Sequence, residues 1–292
     1  MPDPALEYTM TSRKAQDMFS LAGRRALITG ASRGIAAEIA RTLAANGAEV
    51  CINFSARVDA TTGFDGAAMA LKRQIETDGG IAHLIEQDML APGAGRLVAE
   101  HARDLCGGCD IAVASASMQV HRSFVDMPAE DTMRQIQLNF IATVDMLQAL
   151  LPAMKAQRYG RVLSIGSVQE AAPSPEMPIY AATKAAQVNL IRSLAVEMAP
   201  FGITLNNLAP GLVQTDRNAF RRVDAQQWAN SVRLANPMGR AGQTSDMAGA
   251  ALYLCSDAAA FVTGATLFVT GGAHIPQPGY DSAPASSQQV AG

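Results

Sequence analysis

Residues 26–36 decide the fold, and they read ALITGASRGIA. Four residues of strand character are followed by a turn that contains Gly30 and Gly34, after which an amphipathic helical pattern begins. Glycine lets the backbone turn tightly and approach a ligand, and a helix N-terminus offers free N–H groups and a partial positive charge. The stretch therefore predicts a strand–turn–helix unit suited to a phosphate group. Glycines also join strands to helices with no ligand present, so this turn alone is weak evidence for a binding site.

The alternation of strand and helix continues along the chain. Short apolar runs predict seven strands, at 26–29, 49–53, 82–87, 111–115, 161–165, 204–208 and 266–269. Longer periodic patterns predict six helices, at 34–46, 66–78, 93–105, 132–156, 180–199 and 245–255. This order favours an α/β fold with a doubly wound, mostly parallel seven-stranded sheet and helices on both faces, a Rossmann-like single domain. Such sheets bind ligands beyond the carboxyl ends of their strands.

Composition excludes several classes of protein. Of 292 residues, 17% are charged, and the net charge is −3, whereas nucleic-acid binders usually carry a basic stripe. The most apolar runs, 140–154 and 247–269, are interrupted by Asp145 and Asp257, so no membrane span is expected. No secretory signal is expected either, since charged residues interrupt the N-terminus: Asp3, Glu7, Arg13, Lys14 and Asp17. Four cysteines are too few for a disulfide scaffold, which makes a reducing cytoplasm the expected location.

The exit of the second strand bears on which dinucleotide would bind. NAD sites usually carry an acidic residue there, on the ribose 2′-hydroxyl. Here strand 49–53 runs into FSAR at residues 54–57, and the first carboxylate is Asp59. Arg33 in the glycine turn and Arg57 after the strand are cations that suit a 2′-phosphate. These residues favour NADP(H) over NAD(H), although both arginines, and Arg57 in particular, are also compatible with solvated surface charges.

Tyr180 and Lys184 open a predicted helix and, being four residues apart, share one of its faces. A phenol with a pKa near 10 needs a neighbouring cation to exchange protons near neutrality. Ser167 follows strand 161–165, and Asn139 lies on the preceding long helix. A Tyr-x-x-x-Lys pair alone is common by chance, so its weight comes from these companions.

With the glycine turn, this set resembles the short-chain dehydrogenase/reductase family over residues 21–272, and within it the 3-oxoacyl-ACP reductase-like and carbonyl reductase-like members. The resemblance implies that Tyr180 is the general acid when a carbonyl is reduced and that Ser167 hydrogen-bonds the substrate oxygen. It implies that Lys184 lowers the pKa of Tyr180 and binds the nicotinamide ribose. Asn139 would support a water that connects Lys184 to solvent.

The resemblance also implies a set of cofactor contacts at the glycine turn and the strand exits. They are Gly30, Ser32, Arg33, Gly34, Ile35, Ser55, Arg57, Asp88, Met89, Ser115, Ala116, Tyr180, Lys184, Pro210, Gly211, Val213 and Thr215. Asp88 would reach the adenine edge, and Val213 and Thr215 the nicotinamide end.

Two positions depart from the family pattern. Ala36 replaces the third glycine of the turn, which related fingerprints tolerate. Residues 114–117 read ASAS where the family commonly has Asn-Asn-Ala-Gly. An amide that ties the central strands together is therefore lost, and Ser115 is the candidate to replace part of its hydrogen bonding.

Residues 212–240 are predicted to form a substrate lid. Within the lid, residues 214–237 carry four arginines and the single tryptophan of the chain: Arg217, Arg221, Arg222, Arg233 and Trp228. Recognition of an acidic substrate is one interpretation of the arginines, and an exposed charged helix face is the favoured one. Candidate substrate contacts are Met118, Ser167, Gln169, Met177 and Trp228.

No metal site is predicted. Cys106 and Cys109 form a Cys-x-x-Cys pair, but no second pair and no histidine at finger spacing accompany them. The Gly-Gly between them is typical of a bend from helix to strand. The four histidines, His83, His101, His121 and His274, are scattered along the chain.

The sequence thus predicts an NADP(H)-dependent oxidoreductase that interconverts a ketone or aldehyde and an alcohol, with reduction favoured. One alternative is a non-catalytic NADP-binding regulatory protein, which the altered 114–117 exit leaves open. Another is an epimerase or dehydratase, for which little chain remains after Lys184 to build a substrate domain. The expected partner is a small molecule, without nucleic acid or membrane, and the resemblance implies a homotetramer or homodimer. The expected boundaries are an N-terminal tail at 1–20, a catalytic domain at 21–273 and a flexible tail at 274–292.

Overall fold

The sheet at the centre of the computed structural model, which describes residues 14–276, has seven parallel strands. They are β1 (Arg25–Ile28), β2 (Glu49–Phe54), β3 (Ile81–Glu86), β4 (Ile111–Ala114), β5 (Gly160–Ile165), β6 (Ile203–Pro210) and β7 (Thr266–Val269). Their order is β3-β2-β1-β4-β5-β6-β7, and every neighbouring pair is parallel. The direction of strand addition reverses between β1 and β4, so the crevice at the carboxyl ends of these two strands is the expected ligand site.

Helices cover both faces of the sheet. They are α1 (Ala15–Phe19), α2 (Gly34–Ala45), α3 (Ala56–Thr61), α4 (Ala67–Thr77), α5 (Ala94–Cys106), α6 (Ala129–Ile136), α7 (Ala142–Gln157), α8 (Pro178–Met198), α9 (Ala225–Ala235) and α10 (Ser245–Cys255). Alternate strand residues enter two apolar cores: Ile28 packs with α2, α4 and α10, whereas Leu27 packs with α5, α7 and α8. Burial on both faces explains the nearly continuous apolar runs that marked the strands.

The seven strands and six helices predicted from periodicity are present, with ends within three residues of the expected positions. A π-helical turn, Gln137–Ile141, joins α6 and α7 into one helical stretch. Among the described residues this stretch, Ala129–Gln157, is the one long and apolar enough to span a bilayer, with a mean hydropathy of 1.2. It packs against α5, and Met146, Leu147 and Met154 are completely buried there, as in a core helix.

The prediction missed α1, α3 and α9. Short helices depend on caps and packing more than on periodicity; Ser55, for example, caps α3 by accepting a hydrogen bond from the Val58 N–H at 3.3 Å. Part of each expected tail is folded, since Phe19 of α1 packs on Tyr253 and the His274 ring stacks on Phe268 at 4.4 Å. The rest of both tail predictions, at 1–13 and 277–292, lies outside the described residues.

Candidate active site

Asn53, at the end of β2, holds the glycine turn in place. Its Oδ1 accepts a hydrogen bond from the Gly30 N–H at 3.1 Å, and its carbonyl accepts one from the Ala31 N–H at 2.8 Å. Its Nδ2 donates to the Gln87 carbonyl, just beyond β3, at 3.0 Å. One buried amide therefore fixes three neighbouring strand exits relative to one another.

The glycines of the turn serve two different purposes. Gly30 has φ +63°, and a Cβ there would lie 2.9 Å from the Ala116 Cα, so a side chain does not fit. Gly34 has φ +64° at the start of α2, and a Cβ there would meet no protein atom. Arg33, the N-cap residue, makes no side-chain hydrogen bond to the first turn of α2. The N–H groups of that turn therefore face the cavity, which fits a cofactor diphosphate.

Arg33 is held firmly at the rim of this turn. Its Nη1 pairs with Asp59 at 2.6 Å, and its guanidinium lies over the Phe64 ring, 4.5 Å from the centroid. Ser32 Oγ donates to the same Asp59 carboxylate at 2.9 Å, and only 4% of Asp59 is exposed. Asp59, the late carboxylate noticed in the sequence, thus orients Arg33 while leaving its other nitrogens to the cavity that Arg33 lines.

Arg57 points elsewhere. Its Nη2 pairs with Asp88 at 2.5 Å, its side chain is 65% exposed, and it does not line the cavity, whereas Asp88 does. The expected pair of arginines for a 2′-phosphate is therefore reduced to Arg33. The reason is a competing carboxylate on the neighbouring strand exit, which periodicity cannot reveal.

Thr29 replaces the strand tie that the ASAS departure removes. Its Oγ1 accepts hydrogen bonds from the Ser115 and Ala116 N–H groups at 3.0 and 3.1 Å, and donates to the Val113 carbonyl at 3.4 Å. A hydroxyl at the end of β1 thus holds the exit of β4, the role expected in part of Ser115.

Asn139 lies in the π-helical turn and is completely buried. Its side chain accepts from the Met118 N–H at 2.8 Å and donates to the Met118 carbonyl at 2.9 Å and to Thr183 Oγ1 at 3.1 Å. Asn139 therefore positions the loop after β4 against α8, next to Lys184. Its expected contact with a water stays a prediction.

Ser167 is fixed by a capping box after β5. Its Oγ accepts from the Gln169 N–H at 3.2 Å, while its own N–H donates to Glu170 Oε2 at 3.1 Å. Glu170 Oε1 accepts from Asn207 Nδ2 at 2.8 Å, and burial raises the pKa of Glu170. The sequence analysis missed Glu170, although the Ser-x-x-Glu spacing of a capping box was readable.

Tyr180 and Lys184 share a face of α8, with the Lys184 Nζ 5.8 Å from the Tyr180 ring centroid. Burial raises the pKa of Tyr180, and Arg217 and a hydrogen bond with the Ser167 hydroxyl oppose that rise. The pKa of Tyr180 is thus raised overall, because burial outweighs these two groups, and its lowering by Lys184 stays a prediction.

Lys184 is completely buried, and its ammonium has two protein acceptors. Nζ donates to the Ile165 carbonyl at 2.7 Å and to Gln187 Oε1 at 3.1 Å. Burial lowers the pKa of Lys184 to about 7, and the positive charge of Arg217 adds to the effect. The sequence analysis missed Gln187, whose position three residues after Lys184 placed it on the same helix face.

Arg217 connects the lid to the other side of the cavity. It lies in the 3₁₀ segment Asp216–Arg222 and donates to the Ser117 hydroxyl at 3.2 Å and to the Ser117 carbonyl at 2.8 Å. Its charge also lowers the pKa of both Tyr180 and Lys184. Arg217 is exposed, as the favoured interpretation of the lid arginines expects, and its guanidinium also contacts Ser117 and lines the cavity.

The other arginines of the predicted lid, and His121 opposite them, divide by location. Arg221 lines the cavity, and so does His121, which packs edge-on against Phe220 of the lid. Arg222 instead donates to the Thr215 carbonyl and to Asn218 Oδ1, at 2.8 and 2.6 Å, and stabilises the lid itself.

These elements enclose one cavity of about 910 Å³. Most predicted site residues line it: Gly30, Ser32, Arg33, Gly34, Ile35, Ser55, Asp88, Met89, Ser115, Ala116, Ser167, Gln169, Met177, Tyr180, Lys184, Pro210, Gly211, Val213 and Thr215. Arg57, Met118, Asn139 and Trp228 do not line it. Contact of Met118 and Trp228 with substrate stays a prediction; in this structure the Met118 backbone anchors Asn139, and α9 turns Ser231, Leu234 and Ala235 to the cavity.

Comparison with known proteins agrees with this geometry. A family model described as enoyl-(acyl carrier protein) reductase matches residues 30–274. The chain is 32% identical over 258 residues to the L-rhamnose 1-dehydrogenase (NAD(P)(+)) of Azotobacter vinelandii, covering 87% of this chain and 98% of the relative.

Two solved structures are also similar. A 3-oxoacyl (acyl-carrier-protein) reductase from Agrobacterium tumefaciens C58, with NADP bound, matches with TM-score 0.84 and 42% identity over 90% of this chain and 99% of that one. A gluconate 5-dehydrogenase from Burkholderia cenocepacia J2315, in complex with NADP and tartrate, matches with TM-score 0.81 and 33% identity over 89% and 98%. The chain belongs to the short-chain dehydrogenase/reductase family of oxidoreductases.

Proposed function

We propose that the protein is an NADP(H)-dependent oxidoreductase that transfers a hydride between nicotinamide and a carbonyl or alcohol substrate. The observation that carries the proposal is that Ser167, Tyr180 and Lys184 line the same cavity as the Gly30–Gly34 turn. Similar proteins with NADP bound support the choice of cofactor. Carbonyl reduction is the favoured direction, because cytosolic NADPH usually drives reductions.

The protein's own groups would bind and orient both reactants. The first turn of α2 would hold the diphosphate, and Arg33, oriented by Asp59, the 2′-phosphate. When bound, the cofactor supplies the hydride, which adds to the carbonyl carbon while the carbonyl π electrons move to oxygen. Ser167 would hold the substrate oxygen, and Tyr180 Oη would donate the proton that completes the alcohol.

Lys184 would then supply protons to the Tyr180 phenol. Its Nζ is held by the Ile165 carbonyl and Gln187, within reach of the cofactor-binding side of the cavity that it lines. A lysine with a pKa of about 7 gives and accepts protons near neutrality, so it can return a proton towards Tyr180 after each turnover.

The substrate class we propose is a carbonyl compound that carries an anionic group. Arg217, Arg221 and His121 line the cavity on its lid side. A carboxylate or phosphate on the substrate would find the guanidinium groups of Arg217 and Arg221 there, whereas a steroid-like substrate would leave Arg217 without a counter-charge.

Two alternative functions would require different features of the chain. A regulatory protein that binds NADP without turnover would have no need of a buried Tyr180 beside Lys184. An epimerase or dehydratase would call for a larger substrate domain than the 212–240 segment. We therefore propose residues 21–273 as one catalytic domain, with 212–240 as its lid.

We further propose a cytoplasmic homotetramer assembled through α7, α8 and β7. Val196 on α8 and Phe261 before β7 are strongly exposed apolar side chains, and Leu267 lies on the edge strand β7. Such surface favours association. Light scattering of the purified protein would give four times the mass of one chain, and a monomer would contradict the proposal.

The test of function is a carbonyl panel with NADPH and with NADH. The panel spans sugar acids and keto acids, β-keto esters, aromatic ketones and steroids, and the absorbance of the reduced cofactor is followed. We expect turnover with NADPH and the largest kcat/KM for a substrate with an anionic group. Preference for NADH, or NADPH binding without turnover across the panel, would contradict the proposal.

A further inference from the structure

A second cluster of reactive side chains lies at the opposite end of the sheet. Glu49 and Cys51 are on β2, His83 is on β3, and Cys106 ends α5. Glu49 is the first residue of β2, about 13 Å along the strand from Asn53, which holds the glycine turn. None of the four lines the cavity, so the cluster is separate from the candidate active site.

Three of these side chains, Glu49, His83 and Cys106, converge closely, and Cys51 joins them through Cys106. Glu49 Oε1 and His83 Nε2 are 2.7 Å apart, and Cys51 Sγ and Cys106 Sγ are 3.0 Å apart. The ligand atoms of Glu49, His83 and Cys106 all lie within 4.8 Å of one another. The sheet register produces this arrangement, because Cys51 and His83 are direct partners in the β2–β3 pair.

We infer that these side chains form a binding site for a divalent transition-metal ion, with Zn²⁺ as the best match. Two thiolates, an imidazole and a carboxylate are ligands that zinc takes in tetrahedral sites. With Zn–S bonds of about 2.3 Å, a tetrahedral centre separates two sulfurs by about 3.8 Å. On binding the ion, Cys51 and Cys106 would therefore move apart by less than about 1 Å, and Cys51 Sγ would also move towards Glu49 and His83.

The site is reachable from solvent. The Glu49 and His83 side chains are 29% and 28% exposed, whereas Cys51 is buried beneath them. An ion could enter past the imidazole and carboxylate and reach the sulfurs below. Glu49 and His83 would then bind the ion on its solvent side and complete its coordination.

The Cys-x-x-Cys pair of the sequence is not the functional pair. Cys109 is buried, and its Sγ donates to the Ile111 carbonyl at 3.2 Å. Cys106 instead meets Cys51, which precedes it by 55 residues. The expectation that the chain has no metal site rested on local spacing, and this cluster arises from distant parts of the chain.

Cobalt(II) is the spectroscopic probe for the test. Added to the reduced full-length protein, one equivalent per chain should give a sulfur-to-cobalt charge-transfer band and strong tetrahedral ligand-field bands, and Zn²⁺ should displace it. Zn²⁺ at a hundredfold excess over its Kd should raise Tm by about 5 °C or more.

Variants assign the ligands. Cys51→Ala and Cys106→Ser should each lose much of the charge-transfer band, and His83→Gln should keep the sulfur band with affinity lowered about 10-fold or more. Cys255→Ala and His101→Gln, outside the cluster, are the matched controls and should bind cobalt as the wild type does. His83→Gln should leave carbonyl reduction unchanged, so this test is independent of the proposed function.

Three outcomes would overturn the inference. One is the absence of a cobalt–sulfur band in protein whose four cysteines are all reduced. A second is undiminished cobalt binding in Cys106→Ser. The third is a Cys51–Cys106 disulfide that persists in reducing buffer. Should Cys51→Ala fail to fold, the half-exposed Cys106→Ser and His83→Gln still decide the matter.

Discussion

The two walls of the cavity are built in different ways. The strand-exit wall is held by buried groups: Asn53 joins the exits of β1, β2 and β3, and Thr29 joins β1 to β4. The lid wall is held by partly exposed arginines, as in the Arg217–Ser117 and Arg222–Thr215 contacts. Buried hydrogen bonds resist opening more than exposed ones do, so we expect the strand-exit wall to stay fixed around the cofactor and the lid wall to move when substrate binds.

The largest expected effect concerns Lys184, whose Nζ donates to the Ile165 carbonyl at the end of β5. Its pKa is about 7 in the folded protein, against 10.5 for an ordinary lysine. Between these pH values the unfolded chain binds one more proton than the folded chain, so stability rises with pH, by up to roughly 5 kcal/mol across the window. Below pH 7 both states are protonated and the contribution is constant.

Urea unfolding of the wild type and Lys184→Met from pH 6.5 to about 9.5 checks this, because titrations common to both proteins cancel. The difference in unfolding free energy should shift in favour of the wild type as the pH rises above 7. Parallel curves would mean that the buried ammonium keeps its ordinary pKa.

The next largest effect distinguishes Arg33 from Arg57, the two arginines that the sequence predicts at the 2′-phosphate. Arg33→Ala should reduce kcat/KM for NADPH about 10- to 150-fold, because a charge-assisted hydrogen bond contributes about 1.5–3 kcal/mol. The change for NADH should be much smaller. Arg57→Ala is the matched control and should change NADPH kinetics little, since the largely exposed Arg57 side chain does not line the cavity. Equal losses in both variants would restore the two-arginine clamp expected from the sequence.

A smaller effect is expected at Gln187. Gln187→Leu removes one of the two acceptors of Lys184 Nζ, and about 1 kcal/mol for that hydrogen bond corresponds to a roughly fivefold fall in kcat. A positioning role predicts a shifted pH profile of kcat with KM for the carbonyl substrate unchanged. Gln148→Leu, at an exposed position of α7, is the control. A rise in KM with an unaltered profile would argue for a purely structural role.

The smallest expected effect concerns Arg217 in the lid wall. Arg217→Ala should raise KM for an anionic substrate several-fold and raise the pKa of Lys184, because the positive charge of Arg217 lowers it. A neutral substrate should be affected less. Arg240→Ala removes an exposed pair with Asp246 away from the large cavity and should leave KM unchanged. Equal KM changes for anionic and neutral substrates would contradict a recognition role for Arg217.

The difference between local patterns and contacts between distant residues explains what the sequence could predict. Strands, long helices and the Tyr180–Lys184 face follow from local periodicity, so their positions were readable within a few residues. The direction of Arg57 was not, because a flexible side chain chooses between distant partners. Gln187 and Glu170 lay at readable spacings from Lys184 and Ser167, but their weight depends on burial. The Glu49–Cys51–His83–Cys106 cluster depends wholly on tertiary contacts.

The central claim is that Tyr180 donates the proton that completes carbonyl reduction. The most direct measurement compares single-turnover NADPH oxidation by the wild type and Tyr180→Phe, with NADPH affinity measured by fluorescence on the same samples. The account predicts a 10²- to 10⁴-fold slower oxidation, on the order expected for loss of a general acid, with NADPH affinity unchanged. Oxidation at the wild-type rate in Tyr180→Phe would contradict it.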